Sequence, residues 1–355
     1  MENSKESFFK RKDIEISAKR YLQDALSAMA LGLFGSLLIG VIFDTLGVQS
    51  ANLFGENMIS AFCVEIGGYA KMYMGAAIGV AVAYALKAPN LVLFTSVVTG
   101  MMGASMTGFG IAANGGPAGA FVAVVIGAEF GKMVSKETKV DIIVTPAVTL
   151  IMGGLAAKFL GPLFGWCLVK IGELIIAATV WQPFIFGIVI AVVVGLALTA
   201  PISSAALCIM LELSGLAAGA ATVGCCAQMV GFAAASYRDN GIGGLVAQGL
   251  GTSMLQISNI IKNPWILLPP TLAGAIIGPI STCVFKMTNI DVGAGMGTSG
   301  LVGQIGTFTD MGFSFDVLWK VCLLHIVLPA LLAVVIDKVL RKAGKIKDGD
   351  YKLDL

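Results

Sequence analysis

Long uncharged stretches constrain this chain more than any other feature of its sequence. Residues 88–128, 174–211 and 213–237 contain no Asp, Glu, Lys or Arg. A helix needs only about 20 apolar residues to cross a bilayer, and a charged side chain at the bilayer centre is costly. Charged residues make up 12% of the chain, against about 25% in an ordinary soluble domain. The sequence therefore predicts an integral membrane protein.

Turn signals divide the two longest uncharged stretches. One contains Asn114-Gly115-Gly116-Pro117 and the other Thr199-Ala200-Pro201, so each stretch is predicted to hold two helices. The fold class expected is an all-α polytopic membrane protein with about ten transmembrane helices. We predict them near residues 25–47, 68–87, 90–111, 117–133, 141–162, 181–200, 202–217, 219–237, 267–287 and 316–339. The mixed segments 49–66 and 163–180 are expected to lie along the membrane interface.

Two glycine-rich segments are too apolar to be exposed to water and too rich in glycine to form helices that face lipid. Residues 243–258 read GGLVAQGLGTSMLQIS, and residues 291–309 read DVGAGMGTSGLVGQIGTFT. Dense glycine disfavours a helix that faces lipid, and irregular backbone at membrane depth is tolerated only where protein surrounds it or a cavity adjoins it. Both segments are predicted to be re-entrant hairpins around a polar chamber. The alternative is a glycine hairpin that serves packing alone.

Basic residues indicate the orientation of the chain. Twelve of the 23 Lys and Arg residues flank the apolar part, namely Lys5, Lys10, Arg11, Lys12, Lys19, Arg20, Lys338, Arg341, Lys342, Lys345, Lys347 and Lys352. The positive-inside rule then predicts both termini in the cytoplasm and an even number of crossings. The domain organisation expected is a cytoplasmic amphipathic segment (1–24), a single transmembrane domain (25–339) and a cytoplasmic basic tail (340–355).

Charge and histidine content exclude several function classes. The net charge of +2 argues against a nucleic acid as partner. The single histidine, His325, excludes metal sites built from two imidazoles, and no metal or cofactor is expected. The seven cysteines include no CxxC pair and are interpreted as small buried residues. No catalytic dyad, HExxH motif or nucleophile elbow supports an intramembrane enzyme.

Eight polar residues in apolar surroundings are the candidates for binding a solute. They are Glu212, Gln228, Asp291, Thr298, Ser299, Gln304, His325 and Asn114. Glu212 is the most isolated carboxylate, and an intramembrane carboxylate is a functional hypothesis by default; its alternative is a solvated cap at a membrane face. Asn114 is alternatively a turn residue, and His325 a hydrogen-bonded core residue.

The second glycine-rich segment contains GxGxxG at Gly295, Gly297 and Gly300. A dinucleotide fingerprint requires a preceding buried strand and a following helix, whereas this match lies in an uncharged hairpin between two predicted spans. We interpret it as backbone that approaches a solute closely, with Thr298, Ser299 and Gln304 supplying polar side chains.

Long motifs support a family resemblance. The run TAPISSAALCIMLELSGLAAGAATVGCCAQMVGFAAASYRDNGIGGLVAQGLGTSMLQ, followed by NPWILLPPTLAGAIIGPISTCVFKMTN and GAGMGTSGLVGQIG, resembles the EIIC membrane components of the bacterial phosphotransferase system. The resemblance covers nearly the whole chain and is strongest to the stand-alone, perfringolysin-regulator-like branch. It implies ten spans, two re-entrant hairpins, a homodimer in the bacterial cell membrane and a solute site in a domain that moves like an elevator.

The resemblance also bears on phosphotransfer and on function. Sugar-translocating relatives carry a glutamate in a hairpin of the form ITEP, whereas the hairpin here reads GAGMGTSG without a carboxylate. Phosphotransfer would require a separate cytosolic phosphotransferase-system or regulatory protein. We expect a transporter of a small polar solute, conceivably a sugar, that works by alternating access. The alternative is a membrane regulator that senses a ligand without transport.

Overall fold

The structure, a computed structural model, describes residues 8–108, 114–200 and 203–353. Regular structure in these residues is helical, apart from two isolated bridges that join Thr107 to Asn114 and Gly215 to Asn289. The chain divides into two compact units, Met1–Lys170 and Ile171–Leu355. Each unit is described separately.

The first unit is a bundle of helices packed through small residues. Gly79 lies so close to Ser96 that an added Cβ would be 2.1 Å from its carbonyl oxygen, and Gly103 is similarly close to Gly119 at 2.4 Å. Small residues allow helix backbones to approach where apolar side chains gain little over lipid. The helices are α1 (Phe8–Arg11), α2 (Lys19–Asn52), α3 (Met58–Met72), α4 (Met74–Ala85), α5 (Asn90–Ser105), α6 (Gly116–Val134) and α7 (Asp141–Phe159).

The second unit is built around one buried helix. Its elements are α9 (Pro183–Thr199), α10 (Ser204–Met210), α11 (Gly215–Ala235), α12 (Tyr237–Val246), α13 (Ile257–Lys262), α14 (Pro264–Phe285), α15 (Asp291–Ala294), α16 (Val302–Met311) and α17 (Phe315–Lys342); helix α8 (Gly161–Trp181) contains the boundary between the units. In the most apolar stretch of helix α11, 89% of the residues are buried. Its small residues allow α9, α14 and α17 to pack closely against it.

Two broken hairpins run along α11 from opposite ends. The first hairpin (237–262) begins just after α11 ends, and extended Thr252 separates its two limbs. The second hairpin (291–311) begins beside the other end of α11, where Asn289 and Gly215 exchange backbone hydrogen bonds of 3.0 and 3.3 Å. The tips of the two hairpins, Ala247–Gly251 and Ser299–Leu301, contact each other.

Residues 343–353 fold back onto the second unit; we call this segment the C-terminal strap. Tyr351 is completely buried, stacks edge-on against Phe232 and donates a 3.0 Å hydrogen bond to Asp337 Oδ1. Its carbonyl oxygen accepts hydrogen bonds from Asn240 and from Gln256 in the first hairpin, at 2.8 and 3.0 Å. The strap therefore ties the first hairpin to the end of α17.

The strap is expected to loosen at alkaline pH. Burial and the neighbouring Asp337 carboxylate raise the pKa of Tyr351 above its ordinary value near 10. The stabilisation by the protonated phenol is thus complete below about pH 10 and is lost as the pH rises further. We expect cleavage of the strap by subtilisin, a protease that stays active at alkaline pH and needs no lysine, to accelerate above that pH. Tyr351→Phe, which cannot ionise, should show a flatter profile, and identical profiles would contradict this assignment.

Seven helices are long and apolar enough to cross a membrane, or eight if the bent pair α3 and α4 forms one span, counted over the described residues. Two shorter apolar helices, α5 and α9, accompany them.

The predicted span at 202–217 is wrong, since α10 ends at Met210. Glu212 there is left-handed (φ 49°), and Leu213 N–H bonds the Cys208 carbonyl, which closes the helix end. The segment 163–180, predicted to be interfacial, lies instead within the long apolar helix α8.

Candidate functional site

Asn289 fixes the second hairpin beside α11. Its amide donates to Thr222 Oγ1 on α11 (2.7 Å) and to the carbonyl oxygen of Gly303 on the returning limb (3.0 Å). The side chain is completely buried, so both bonds form away from bulk solvent. This one residue joins both limbs of the hairpin to the central helix.

Glycine lets the tip of the second hairpin lie directly on α11. An added Cβ on Gly297 would meet the backbone of Cys225 and Cys226 at 2.7–2.8 Å, and the φ of Gly297 is +55°. Gly300 and Leu301 follow with φ of +52° and +60°. A left-handed conformation is uncommon for leucine, so the tip is held in a strained turn of the kind that clusters at functional sites.

Gln304 and His325 form a buried polar pair at this tip. Gln304 Nε2 lies 3.1 Å from His325 Nδ1 and 3.4 Å from Cys226 Sγ. In this geometry the amide N–H donates to an unprotonated ring nitrogen. Gln304 Oε1 is buried and has no hydrogen-bond partner among the described residues. A buried unpaired acceptor costs about 1–3 kcal/mol, so this oxygen is the clearest vacant hydrogen-bonding position near the tip.

Thr298 and Ser299 lie at the same tip. The Thr298 side chain is 2% exposed, and its hydroxyl is 3.7 Å from Met229 Sδ, which is a weak acceptor. Ser299 is half-buried. Both hydroxyls therefore retain hydrogen-bonding capacity close to Gln304.

Gln228 belongs to a second polar cluster, on the side of α11 that faces the first hairpin. Its Oε1 accepts from Thr199 (3.2 Å), and its Nε2 donates to Thr271 (2.9 Å). Thr199 is in turn 2.9 Å from Ser253 in the first hairpin. Thr199, Ser253 and Thr271 were not among the predicted site residues, although Thr199 directly precedes the Ala200–Pro201 break.

Glu212 and Asp291 lie together at the base of the second hairpin. The backbone bridge between Gly215 and Asn289 brings the two segments that carry them together. Glu212 is exposed and Asp291 half-buried, with its Oδ1 accepting from the Val292 N–H at 2.8 Å. The start of α11 beside them and Cys226 beside Gln304 are roughly 16 Å apart at 1.5 Å per helical residue. These carboxylates therefore lie at the base of the second hairpin and not at its tip.

Asn114 lies in the other unit, where it is exposed and forms a bridge with Thr107. The eight candidates therefore fall into four groups: the tip, the cluster around Gln228, the carboxylate pair and Asn114. Among the described residues, no group of three His, Cys, Asp or Glu is placed to hold a metal ion.

One comparison with known proteins gives a match. Comparisons with curated proteins and with solved structures find none. The family model described as "Phosphotransferase system, EIIC" matches residues 23–353. This match covers nearly all of the chain, including both hairpins and the helices around α11. The several long apolar helices of the structure also agree with a membrane protein of this kind. The chain therefore belongs to the EIIC family of phosphotransferase-system membrane proteins, whose members are transporter components for sugar-like substrates.

Proposed function

We propose that this protein carries a sugar-like solute across the membrane and binds it where the tips of the two hairpins meet halfway along α11. The observation that supports this proposal is the unpaired, buried Gln304 Oε1 beside His325, on a hairpin whose tip also carries the buried Thr298. Family membership supplies the class of substrate. Discontinuous helices that meet near the midplane are a recurrent design of transporter sites.

The chemistry of the tip suits a polyhydroxylated solute. Each sugar hydroxyl both donates and accepts a hydrogen bond, and the tip offers an amide, hydroxyls and an imidazole, which do the same. Gln304 Oε1 would accept from a solute hydroxyl, while Thr298 and Ser299 would donate to or accept from its neighbours. Glu212 and Asp291 would attract or orient the solute at the base of the second hairpin.

Transport requires the hairpins to move, because Thr298, Gln304 and Gln228 are all buried in this conformation. In our proposal both hairpins are re-entrant, and they give alternate access to the site through an elevator-like displacement. The working unit would be a homodimer with both termini in the cytoplasm, where another component of the phosphotransferase system meets it.

Gln304→Leu is expected to abolish solute uptake while leaving the protein folded. The change removes the unpaired oxygen but also leaves His325 Nδ1 without its donor, so the two effects on stability oppose each other. The loss of a buried hydrogen bond should weaken solute binding by about tenfold or more. The measurement is uptake into proteoliposomes from a panel of labelled hexoses, hexitols and hexuronates.

A matched control comes from the same hairpin. Thr307 is buried, and its hydroxyl bonds only the Gly303 carbonyl one turn away, at 2.9 Å, so Thr307→Val should retain uptake whereas Thr298→Val should lose it. Uptake by Gln304→Leu at the wild-type rate would overturn the site. Failure of the wild-type protein to transport or bind any member of the panel would overturn the substrate class.

A further inference from the structure

A polar pocket in the first unit has no part in the proposed transport site. It has a volume of about 470 Å³ and forms where three stretches meet: the N-terminal segment, the turn between α4 and α5, and the turn between α6 and α7. The residues that line it are Arg11, Lys12, Asp13, Lys87, Pro89, Lys132, Ser135, Lys136 and Glu137.

Positive charge dominates this pocket. Five of its lining residues are basic and two are acidic. Glu137 pairs with both Arg11 and Lys12. Asp13 is held by two hydrogen bonds from Arg20, at 3.1 and 3.2 Å, and lies 3.8 Å from Lys87. Two carboxylates outside the lining also act on it: Glu129 pairs with Lys132 at 3.1 Å, and Asp141 accepts from the Lys136 backbone N–H at 2.7 Å. These four carboxylates face six basic side chains, Arg20 included, so positive charge remains in excess. The Lys136 ammonium group forms no ion pair within the part of the chain that the structure describes.

Buried hydrogen bonds hold the walls of the pocket in place. Lys132 is 1% exposed, and its ammonium group donates to the carbonyl oxygens of Asp13 (2.6 Å) and Leu86 (2.9 Å). Lys12 donates to the Ser135 carbonyl at 2.5 Å. Each of the three stretches is therefore bonded to another, so the basic side chains project from a fixed frame and not from a mobile tail.

Apolar side chains border the pocket. Phe8 and Phe9 are exposed, as are Ile16 (83%) and Leu22 (59%) farther along the N-terminal segment. The Arg11 guanidinium lies 5.5 Å from the centre of the Phe8 ring. This segment leads into α2, a candidate span. Exposed aromatic and aliphatic groups beside basic residues at the start of a span are typical of a segment that lies at a membrane surface.

We propose that this pocket binds the phosphate headgroup of an anionic phospholipid, with Phe8 and Phe9 contacting its acyl chains. Lys87, Lys136 and Arg11 would contact the phosphate oxygens. Basic pockets at the ends of membrane helices are suited to such headgroups. The exposed apolar side chains favour a lipid over free phosphate, because soluble phosphate has no group that would cover them.

The test measures retention of phosphatidylglycerol by native mass spectrometry of the purified full-length protein. Neutralising two lysines in Lys87→Gln/Lys136→Gln should lower retention by about thirtyfold, which corresponds to about 1 kcal/mol for each lysine near an anionic lipid surface. The control Lys338→Gln/Lys342→Gln makes the same change of charge in the other unit and should retain the lipid. Equal retention by both double variants would overturn the proposal.

Two further arms separate the alternatives. Glu137→Gln removes one of the two acids and should raise retention, a gain that a misfolded protein would not show. Phosphatidylcholine, and inorganic phosphate added alone, should be retained weakly by the wild-type protein and equally by all variants. Retention of inorganic phosphate that falls in Lys87→Gln/Lys136→Gln while phosphatidylglycerol is unaffected would assign the pocket to a soluble anion and overturn the lipid proposal.

Discussion

Gly224→Leu is expected to abolish recovery of folded protein from detergent-solubilised membranes. A Cβ at this position would lie 2.0 Å from the Ala191 carbonyl oxygen and 2.5 Å from Ala191 Cα. Both atoms belong to the backbone of α9, so no side-chain rotation relieves the clash. The helices must separate, which also pulls Gly195 away from Gly224. Overpacking typically costs about 1–3 kcal/mol and occasionally more, and the lack of any flexible neighbour places this site at the upper end.

The measurement is the yield of monodisperse protein by size-exclusion chromatography. Gly35→Leu is the matched control, because Gly35 is also inside a long apolar helix but an added Cβ there meets nothing within 4 Å. We expect the Gly35 variant to elute at the wild-type position with similar yield. A monodisperse Gly224→Leu protein at wild-type yield would contradict the close crossing of α9 and α11.

Tyr351→Ala is expected to release the C-terminal strap. The substitution removes a completely buried ring, its edge-on contact with Phe232 and its hydrogen bond to Asp337. Loss of a large buried aromatic side chain costs about 3–5 kcal/mol, which is as much as a short segment gains from docking. The hydrogen bonds from the Asn240 and Gln256 side-chain amides to the Tyr351 carbonyl oxygen should then break as well.

Limited trypsin digestion checks this result, since a released strap exposes the bonds after Lys345 and Lys347. Tyr237→Ala provides the control, because Tyr237 is 48% exposed and its removal should leave the cleavage rate unchanged. Equal protection of the strap in both variants would mean that the polar contacts suffice without the aromatic ring.

Sequence patterns predicted the features that depend on local chemistry. The end of α9 at Thr199 follows from the Ala200–Pro201 breaker. The predicted span at 219–237 overlaps α11, which begins four residues earlier, at Gly215. Both glycine-rich segments are broken into short helices, and their re-entrant course stays a prediction. Hydrophobicity alone did not predict correctly which of two similar apolar segments forms a long helix. Residues 163–180 and 202–217 are both apolar, yet only the first forms a long helix.

The pairing within the site depends on tertiary contacts that no local pattern encodes. Gln304 and His325 are 21 positions apart and meet because the second hairpin and α17 both pack against α11. The segment that contains Tyr351 was predicted to be a basic cytoplasmic tail. Its burial was not predicted, because it depends on contacts with Phe232 and Asp337 in other elements. The basic residues of such a segment indicate that its surface is charged, but they do not indicate that one of its side chains is buried.

The opposed hairpins have a consequence for leakage. Each has its own polar anchor: Ser253 bonds Thr199 at the end of α9, which in turn bonds Gln228 on α11, and Asn289 bonds Thr222 on α11. To the extent that these separate anchors outweigh the contact between the two tips, the free energies of the two openings add. Openings that each cost about 2.7 kcal/mol would occur about 1% of the time singly but only about 0.01% of the time together. Hairpins that open one at a time would admit the solute without forming a continuous water-filled path across the protein. Protons would then not leak through it and dissipate a proton gradient.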